Sequence, residues 1–309
     1  MDYIISQLRG YYPDNELREL AYWIVEETTG MTRTDILIGC KDTKNIPNIE
    51  IILEKLRAHE PIQYIFGHTE WMGLDLRVTY DTLIPRPETS ELVEWVLQLT
   101  DTSKPMKVLD IGTGSGCIAL ALKKNAPLWS VTGLDISQKA LEVAKENAVR
   151  NHLQVDWIQA DILSPIPNIQ YPISNTQYPI SNIQYPISNT PYPIPDIIIS
   201  NPPYICDAEK RDMDARVLDY EPHSALFVPD TDPLLFYRQI ASLAFLPVAP
   251  VVEPQRSNLR AKPIDIFFEI NESYGNEVCA MLREMGYTHV ELKYDMYGKP
   301  RMVYATITQ

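Results

Sequence analysis

Asn201-Pro202-Pro203-Tyr204 is the stretch of this chain with the most specific chemistry. Neither proline has an N–H to donate, whereas the Asn201 side-chain oxygen and the Pro202 carbonyl both accept hydrogen bonds. Tyr204 adds a flat aromatic face. A planar –NH2 group suits such a cradle, because two acceptors hold its two hydrogens while the ring packs against its plane. The plain alternative is a Pro-Pro turn that closes a core strand. Residues upstream decide between the two.

The second constellation is Asp110-x-Gly112-Thr113-Gly114-Ser115-Gly116. Glycines let backbone approach a ligand closely, and the open N–H groups at the helix start that follows suit polar or anionic groups. Asp135 stands nineteen residues past Gly116 and is placed to accept from both hydroxyls of a ribose. Asp161 is placed to accept from an adenine amino group, with Ile162 packing on the ring. Asp110 lies beneath the loop, where it either holds the loop's backbone or faces a ligand's ammonium. Each carboxylate alone reads equally well as a turn or cap residue. Three of them at successive strand ends, beside a glycine loop, are much harder to dismiss. A glycine loop by itself also serves dinucleotide enzymes, but a nicotinamide enzyme would next need a hydride acceptor site with a proton donor. This chain offers an amine cradle instead. The pairing implies transfer of a group from an adenosine-containing donor to a planar nitrogen, with S-adenosylmethionine as the natural candidate.

The elements that must position these residues follow from periodicity. Asp196 to Ser200 is an apolar, β-branched run that reads as a buried strand, so the tetrapeptide sits at a strand's carboxyl end. Val108–Ile111, Val131–Leu134 and Val155–Ala160 read as earlier strands, with helices over Cys117–Lys124 and from a Ser137 cap to Asn151. This alternation predicts an α/β fold built on a parallel sheet. Ile264–Ile270, a helix over Asn276–Met285, and strands Val290–Tyr294 and Arg301–Ile307 complete it. The last two strands are an antiparallel pair of the kind seen in methyltransferase-type sheets. Helices are also expected over Asp207–Leu218 and Pro233–Phe245.

Residues 1 to about 70 read as a small helical domain, for docking a partner or, equally well, merely for capping the larger domain. A helix runs from an Asp14 cap to Gly30, and a second covers Ile49–His59. A linker over 71–90 follows, as part of a hairpin spanning Gly67 to Leu83, and it ends in the stiff corner Pro85-Arg86-Pro87. Thr89 or Ser90 would cap the next helix, Glu91–Leu99, at the start of the main domain, 91–309. Within that domain, residues 164–195 carry a repeat of period seven, Asn-Ile-Gln-Tyr-Pro-Ile-Ser and its variants. One proline per repeat rules out a heptad helix or a central strand, so it reads as an exposed loop insert. The proline-rich stretch 246–263 reads as a second loop.

At 309 residues the chain is long enough for two domains. No apolar run approaches a membrane span. Met1-Asp2-Tyr3-Ile4 lacks the basic start of a secretion signal. The four scattered cysteines show no metal-ligand spacing and point to buried thiols in a reducing cytoplasm. A formal net charge of -14 argues against broad nucleic-acid binding; it fits a basic partner, although an acidic surface is more often a solubility device.

These residues resemble the HemK/PrmC-type protein-glutamine N5-methyltransferases that modify peptide chain release factors. The resemblance rests on Glu60-Pro61-Ile62-Gln63-Tyr64-Ile65-Phe66-Gly67, Leu83-Ile84-Pro85-Arg86-Pro87-Glu88-Thr89, the Asp110–Gly116 loop, Asp135, Ser200–Tyr204, Tyr220-Glu221-Pro222 and Lys299-Pro300-Arg301. It implies a Rossmann-like class I S-adenosylmethionine-dependent methyltransferase sheet with a small N-terminal helical domain. It also implies that Gly112, Thr113, Gly114, Ser115, Gly116, Asp135, Ile162 and Asn201 contact the cofactor. Asn201, Pro202, Pro203 and Tyr204 would hold the target glutamine of a Gly-Gly-Gln loop, with catalysis by positioning and no metal. The chain departs from the family pattern at Ser90, where an acid is usual, and at Asn271, where a glycine is usual. A Gly-Gly turn expected before Phe267 is also replaced. Two rival readings share parts of the pattern: an adenine amino-methyltransferase acting on nucleic acid, and a non-catalytic adapter for release factor or ribosome.

Overall fold

The computed structural model describes residues 1–39, 46–164, 195–245 and 264–307. Five helices open the chain: α1 (Asp2–Leu8), α2 (Asp14–Thr29), α3 (Arg33–Gly39), α4 (Ile49–Arg57) and α5 (Ile62–Phe66). They close on their own core of Ile4, Leu8, Leu17, Ile24, Leu53 and Leu56. Pro13 rather than Asp14 occupies the cap of α2, which places the Asp14 charge in the first turn, where the helix dipole favours it. Gly30 ends α2 at φ 70°, its N–H donating to the Glu26 carbonyl at 2.9 Å. α4 stops two residues earlier than its apolar pattern suggests because His59 turns left-handed, at φ 63°.

β1 (His68–Trp71) and β2 (Leu74–Arg77) form an antiparallel hairpin. Both turn residues, Met72 and Gly73, have positive φ, the geometry that matches strand twist across a two-residue loop. α6 then spans Pro87–Leu99. It begins before Thr89 and Ser90, so neither is the cap. Proline suits the first helical position because the N–H it lacks would have no partner there. Ser90 Oγ simply donates to the Pro87 carbonyl at 2.6 Å, and Thr89 is left for another task.

The main sheet is assembled from β3 (Lys107–Ile111), α7 (Cys117–Asn125), β4 (Ser130–Asp135), α8 (Gln138–Arg150), β5 (Asp156–Gln159) and β6 (Ile197–Ser200). A short excursion follows, with β7 (Ile205–Cys206), α9 (Ala215–Leu218), β8 (Phe227–Val228) and α10 (Leu235–Ser242). The chain closes with β9 (Asp265–Glu269), α11 (Gly275–Glu284), β10 (His289–Tyr294) and β11 (Pro300–Thr306). The single helix expected over Asp207–Leu218 is instead a 3-10 turn over Asp207–Asp212 followed by α9. Asp214 interrupts it by accepting from the Arg216 N–H at 2.8 Å, an N-cap. The expectations for the seven-residue repeat, at 165–194, and for the proline-rich loop, 246–263, fall outside the described residues. Among the described residues no helix is long and apolar enough to cross a membrane.

Seven strands pair in the order β10-β11-β9-β6-β3-β4-β5. β5, β4, β3, β6 and β9 run parallel, and β11 and β10 close the edge antiparallel. Alternate residues of each strand feed opposite layers. Val108, Ile197, Ile199 and Phe267 pack under α6 and α7, while Leu109, Ile198, Ile266 and Phe268 pack under α10 and α11. Both faces are covered, and so β6 reads as an unbroken apolar run.

Trp157 of β5 sets a further constraint. A Cβ on Gly133 of β4 would lie 2.5 Å from its ring. Gly133 is therefore required by packing rather than by backbone conformation. Gly133→Ala is expected to destabilise the protein by about 1–3 kcal/mol through overpacking, read as a lower urea midpoint at constant slope.

Candidate active site

β3 and β6 are neighbours, yet the chain runs from β3 to β4 and β5 before it returns to β6. This is a topological switch point, the crevice where open α/β sheets bind ligands. Parallel register pairs Ile111 with Ser200. Ser200 Oγ donates to the Ile111 carbonyl at 2.6 Å in a buried bond that joins the two strand ends. Gly112 and Asn201 consequently leave the sheet side by side: a Cβ on Gly112 would lie 4.0 Å from the Asn201 carbonyl oxygen.

Gly112, Gly114 and Gly116 all have positive φ, at 70°, 55° and 81°. The Gly112 and Thr113 N–H groups donate to the Leu134 carbonyl at 2.8 and 3.0 Å, fastening the loop to β4. Asp135 ends β4. Its Oδ2 accepts from the Gly114 N–H and its Oδ1 from the Ser137 N–H, both at 2.8 Å. Burial raises its pKa, and these two N–H groups oppose the rise. Each oxygen keeps a second lone pair for a ligand.

Asp110 is fully buried under the loop. Its Oδ2 accepts from Thr113 Oγ1 at 2.5 Å and from the Ala119 N–H at 3.2 Å. Its Oδ1 is enclosed and has no partner among the described residues. Burial pushes this carboxyl up to about 7, with the Thr113 and Ala119 donors pulling against it and the Asp135 charge adding to it. An enclosed carboxylate oxygen without a donor fits a ligand that brings a cationic or N–H group, as an amino-acid-bearing nucleoside does. Asp161 is exposed. Its carboxylate accepts from the Leu163 N–H at 2.9 Å and from Ser164 Oγ at 2.8 Å, bracing its own turn. Ile162 is half-buried against the core layer under α10 and α11. Ile136, which no sequence signal singled out, is exposed directly after Asp135.

The tetrapeptide is braced from three sides. Asn201 Nδ2 donates to Thr89 Oγ1 at 3.3 Å. Thr89 Oγ1 donates to Glu269 Oε2 at 2.7 Å, and the Tyr204 hydroxyl donates to Glu269 Oε1 at 3.2 Å. Glu269, at the end of β9, is 1% exposed. Burial raises its pKa, opposed by the Thr89 and Tyr204 hydrogen bonds and by Arg301. Asn271 Nδ2 donates to the Tyr204 carbonyl at 3.1 Å and to Glu209 Oε1 at 3.1 Å. The residue that departs from the family's glycine therefore holds the cradle's last carbonyl. Among the described residues nothing donates to Asn201 Oδ1 or to the Pro202 carbonyl.

Below the cradle, Arg86 Nη2 meets Glu221 Oε1 at 2.6 Å, with Glu221 buried. Trp71 Nε1 donates to the Arg86 carbonyl at 2.9 Å. The Pro-Arg-Pro corner and the Tyr-Glu-Pro turn thus meet. From that turn the Tyr220 hydroxyl donates to the Ala58 carbonyl at 2.7 Å, and from α9 just before it Arg216 Nη1 reaches Glu16 Oε2 at 2.9 Å. The segment that follows the cradle therefore touches the N-terminal helices.

A parallel sheet with this antiparallel edge, and a glycine loop beside an acceptor-rich turn at its switch point, defines a Rossmann-like methyltransferase. A methyltransferase domain model matches residues 108–174, and a PrmC N-terminal domain model matches residues 1–67. The release factor glutamine methyltransferase of Flavobacterium psychrophilum is 37% identical over 305 residues, covering 97% of this chain and 95% of its own length. That of Bacteroides thetaiotaomicron is 38% identical over 312 residues, covering 98% and 97%. This chain belongs to the release factor glutamine methyltransferase family. Among solved structures, the hMettl16 catalytic domain in complex with the MAT2A 3'UTR hairpin 6 covers 96% of this chain and 94% of its own. Its TM-score is 0.54 at 13% identity, a likeness of fold alone.

The Asp110 geometry has a measurable consequence. Its folded pKa, about 7, lies above the ordinary carboxylate value. The stability it contributes is present below pH 4 and is lost as pH rises towards 7, because the unfolded chain releases the proton first. In ligand-free protein, Asp110→Asn should lose less stability than wild type between pH 4 and 7. The difference should reach up to about 4 kcal/mol at about 1.4 kcal/mol per pKa unit, read from denaturation midpoints against pH.

Proposed function

We propose that this protein transfers a methyl group from S-adenosylmethionine to the side-chain amide nitrogen of the glutamine in the Gly-Gly-Gln motif of peptide chain release factors. One observation carries the reading. Asn201 leaves β6 beside Gly112 of the glycine loop, and the two acceptors of its turn, Asn201 Oδ1 and the Pro202 carbonyl, have no donor among the described residues.

When bound, the cofactor supplies an electrophilic methyl group on a sulfonium. Gly112, Thr113, Gly114, Ser115 and Gly116 would line its amino-acid moiety, above the buried and partly unpaired Asp110 carboxyl. Asp135 would accept from the ribose hydroxyls. Asp161 would accept from the adenine amino group, with Ile162 and the exposed Ile136 available to its ring.

The residues around Asn201 act on the second substrate. An amide nitrogen is a poor nucleophile because its lone pair is delocalised into the carbonyl. Asn201 and Pro202 each accept one of its hydrogens, Pro203 stiffens the corner, and Tyr204 packs against the amide plane. Held in line, the nitrogen would bond the methyl carbon as the S–CH3 bond breaks, the sulfonium leaving as a neutral thioether, and the surplus proton would pass to water. Catalysis is then positioning and electrostatics. Helices α1–α5 dock the protein substrate, and a net charge of -14 suits a basic partner. A translation factor as substrate places the reaction in the cytoplasm.

The test is incubation with methyl-labelled cofactor and either release factor or DNA. Label should enter the release factor. Asn201→Ala should lower kcat roughly 100-fold or more while still binding S-adenosylmethionine by calorimetry. Labelled DNA, or near-normal turnover by a folded Asn201→Ala variant, would overturn the reading.

A further inference from the structure

The cradle works only one way round. The oxygen and nitrogen of an asparagine carboxamide are nearly isosteric, and a flip by half a turn would replace the acceptor facing the substrate with a donor. Two –NH2 groups would then oppose each other. Asn201 alone does not choose between these states, because a rotation about its last bond costs little by itself.

The choice is made elsewhere. A threonine hydroxyl has one proton to give. Thr89 Oγ1 lies 2.7 Å from Glu269 Oε2 and 3.3 Å from Asn201 Nδ2. The other Glu269 oxygen accepts from the Tyr204 hydroxyl at 3.2 Å. Both hydroxyls donate to Glu269, so Thr89 spends its one proton there and turns lone pairs towards Asn201. Only the Asn201 –NH2 can pair with those lone pairs. A flipped carboxamide would set its oxygen against the oxygen of the buried Thr89, leaving two acceptors opposed with no proton between them.

We propose that Thr89, itself oriented by Glu269, is a positioning residue that holds the Asn201 carboxamide with Oδ1 towards the substrate amide. The inference rests on the amide-methylation reading above. It gives a task to a hydroxyl whose place in the sequence suggests a helix cap, and to a buried acid at the end of a strand 180 residues away. Thr89 touches neither substrate nor cofactor in this scheme. It acts through Asn201.

The test uses full-length protein labelled with 15N-asparagine, with the Asn201 side-chain signal identified by its absence in Asn201→Ala. In wild type the Asn201 –NH2 protons should exchange slowly with solvent. Thr89→Val, equal in shape but without a hydroxyl, should speed that exchange roughly tenfold or more, as expected for loss of one hydrogen bond. Thr89→Ser should restore slow exchange.

In the methyl-transfer assay Thr89→Val should lower kcat roughly tenfold or more with little change in KM for the release factor. It should cost nothing further in an Asn201→Ala background. Glu269→Gln gives a second route, because its amide can donate to Thr89 and free the Thr89 proton to point at Asn201. It should reproduce the fast exchange and the kcat loss. Unchanged exchange in both Thr89→Val and Glu269→Gln, or an equal cost of Thr89→Val with and without Asn201, would overturn the proposal. The spectra judge the Thr89 role in ligand-free protein. A wild type that labels no release factor would instead count against the reaction.

Discussion

The buried hydrogen bond from Ser200 Oγ to the Ile111 carbonyl, 2.6 Å long, is the interaction around which the site is built. It joins the carboxyl ends of β3 and β6, where the chain has gone out along the sheet to β5 and come back. Each strand end then delivers a different chemistry to the same crevice: a glycine loop rich in N–H groups from β3, and a turn rich in acceptors from β6. Prolines at 202 and 203 keep that turn without donors. Were the register between β3 and β6 to slip by one residue, every side chain of β6 would change faces. Asn201 would then no longer stand beside Gly112.

The electrostatics follow from the same burial. Asp110, Asp135 and Glu269 all have pKa values raised by desolvation. Local donors hold each of them only in part. Glu269 spends both oxygens on hydroxyls that shape the cradle, whereas Asp110 keeps one enclosed oxygen without a donor. The first is a structural acid in the service of a binding turn. The second has the chemistry of a ligand contact, because a cationic group arriving there relieves the cost of desolvation. The Arg86–Glu221 pair plays a third role by fastening the Pro-Arg-Pro corner to the segment that, through Arg216 and Tyr220, reaches Glu16 and Ala58.

Much of this was legible in the sequence because it is local. The glycine loop, Asp110 and Asp135 lie within one β-α-β unit, where spacing alone implies proximity. The apolar run before Asn201 marks its strand. What could not be read is what crosses the chain. Thr89 looks like a helix cap because hydroxyl residues near a helix start usually are. Only Pro87 at the first helical position frees it, and only the fold brings Glu269 to it. Asn271 stands out in sequence only as a departure from a family's glycine, and its bond to the Tyr204 carbonyl appears only when β9 lies beside β6. The helices α1, α3 and α5 are too short for a periodic signal to register. Gly133 shows its reason only against Trp157, on the neighbouring strand.

A crystal structure with S-adenosylhomocysteine and a glutamine peptide bound would show the cradle at work. The peptide's amide nitrogen should lie at roughly 2.7–3.2 Å, the usual hydrogen-bond range, from both Asn201 Oδ1 and the Pro202 carbonyl, with the Asn201 –NH2 turned to Thr89. A glutamine bound away from Asn201, or a carboxamide presenting its –NH2 to the substrate, would rule out the cradle.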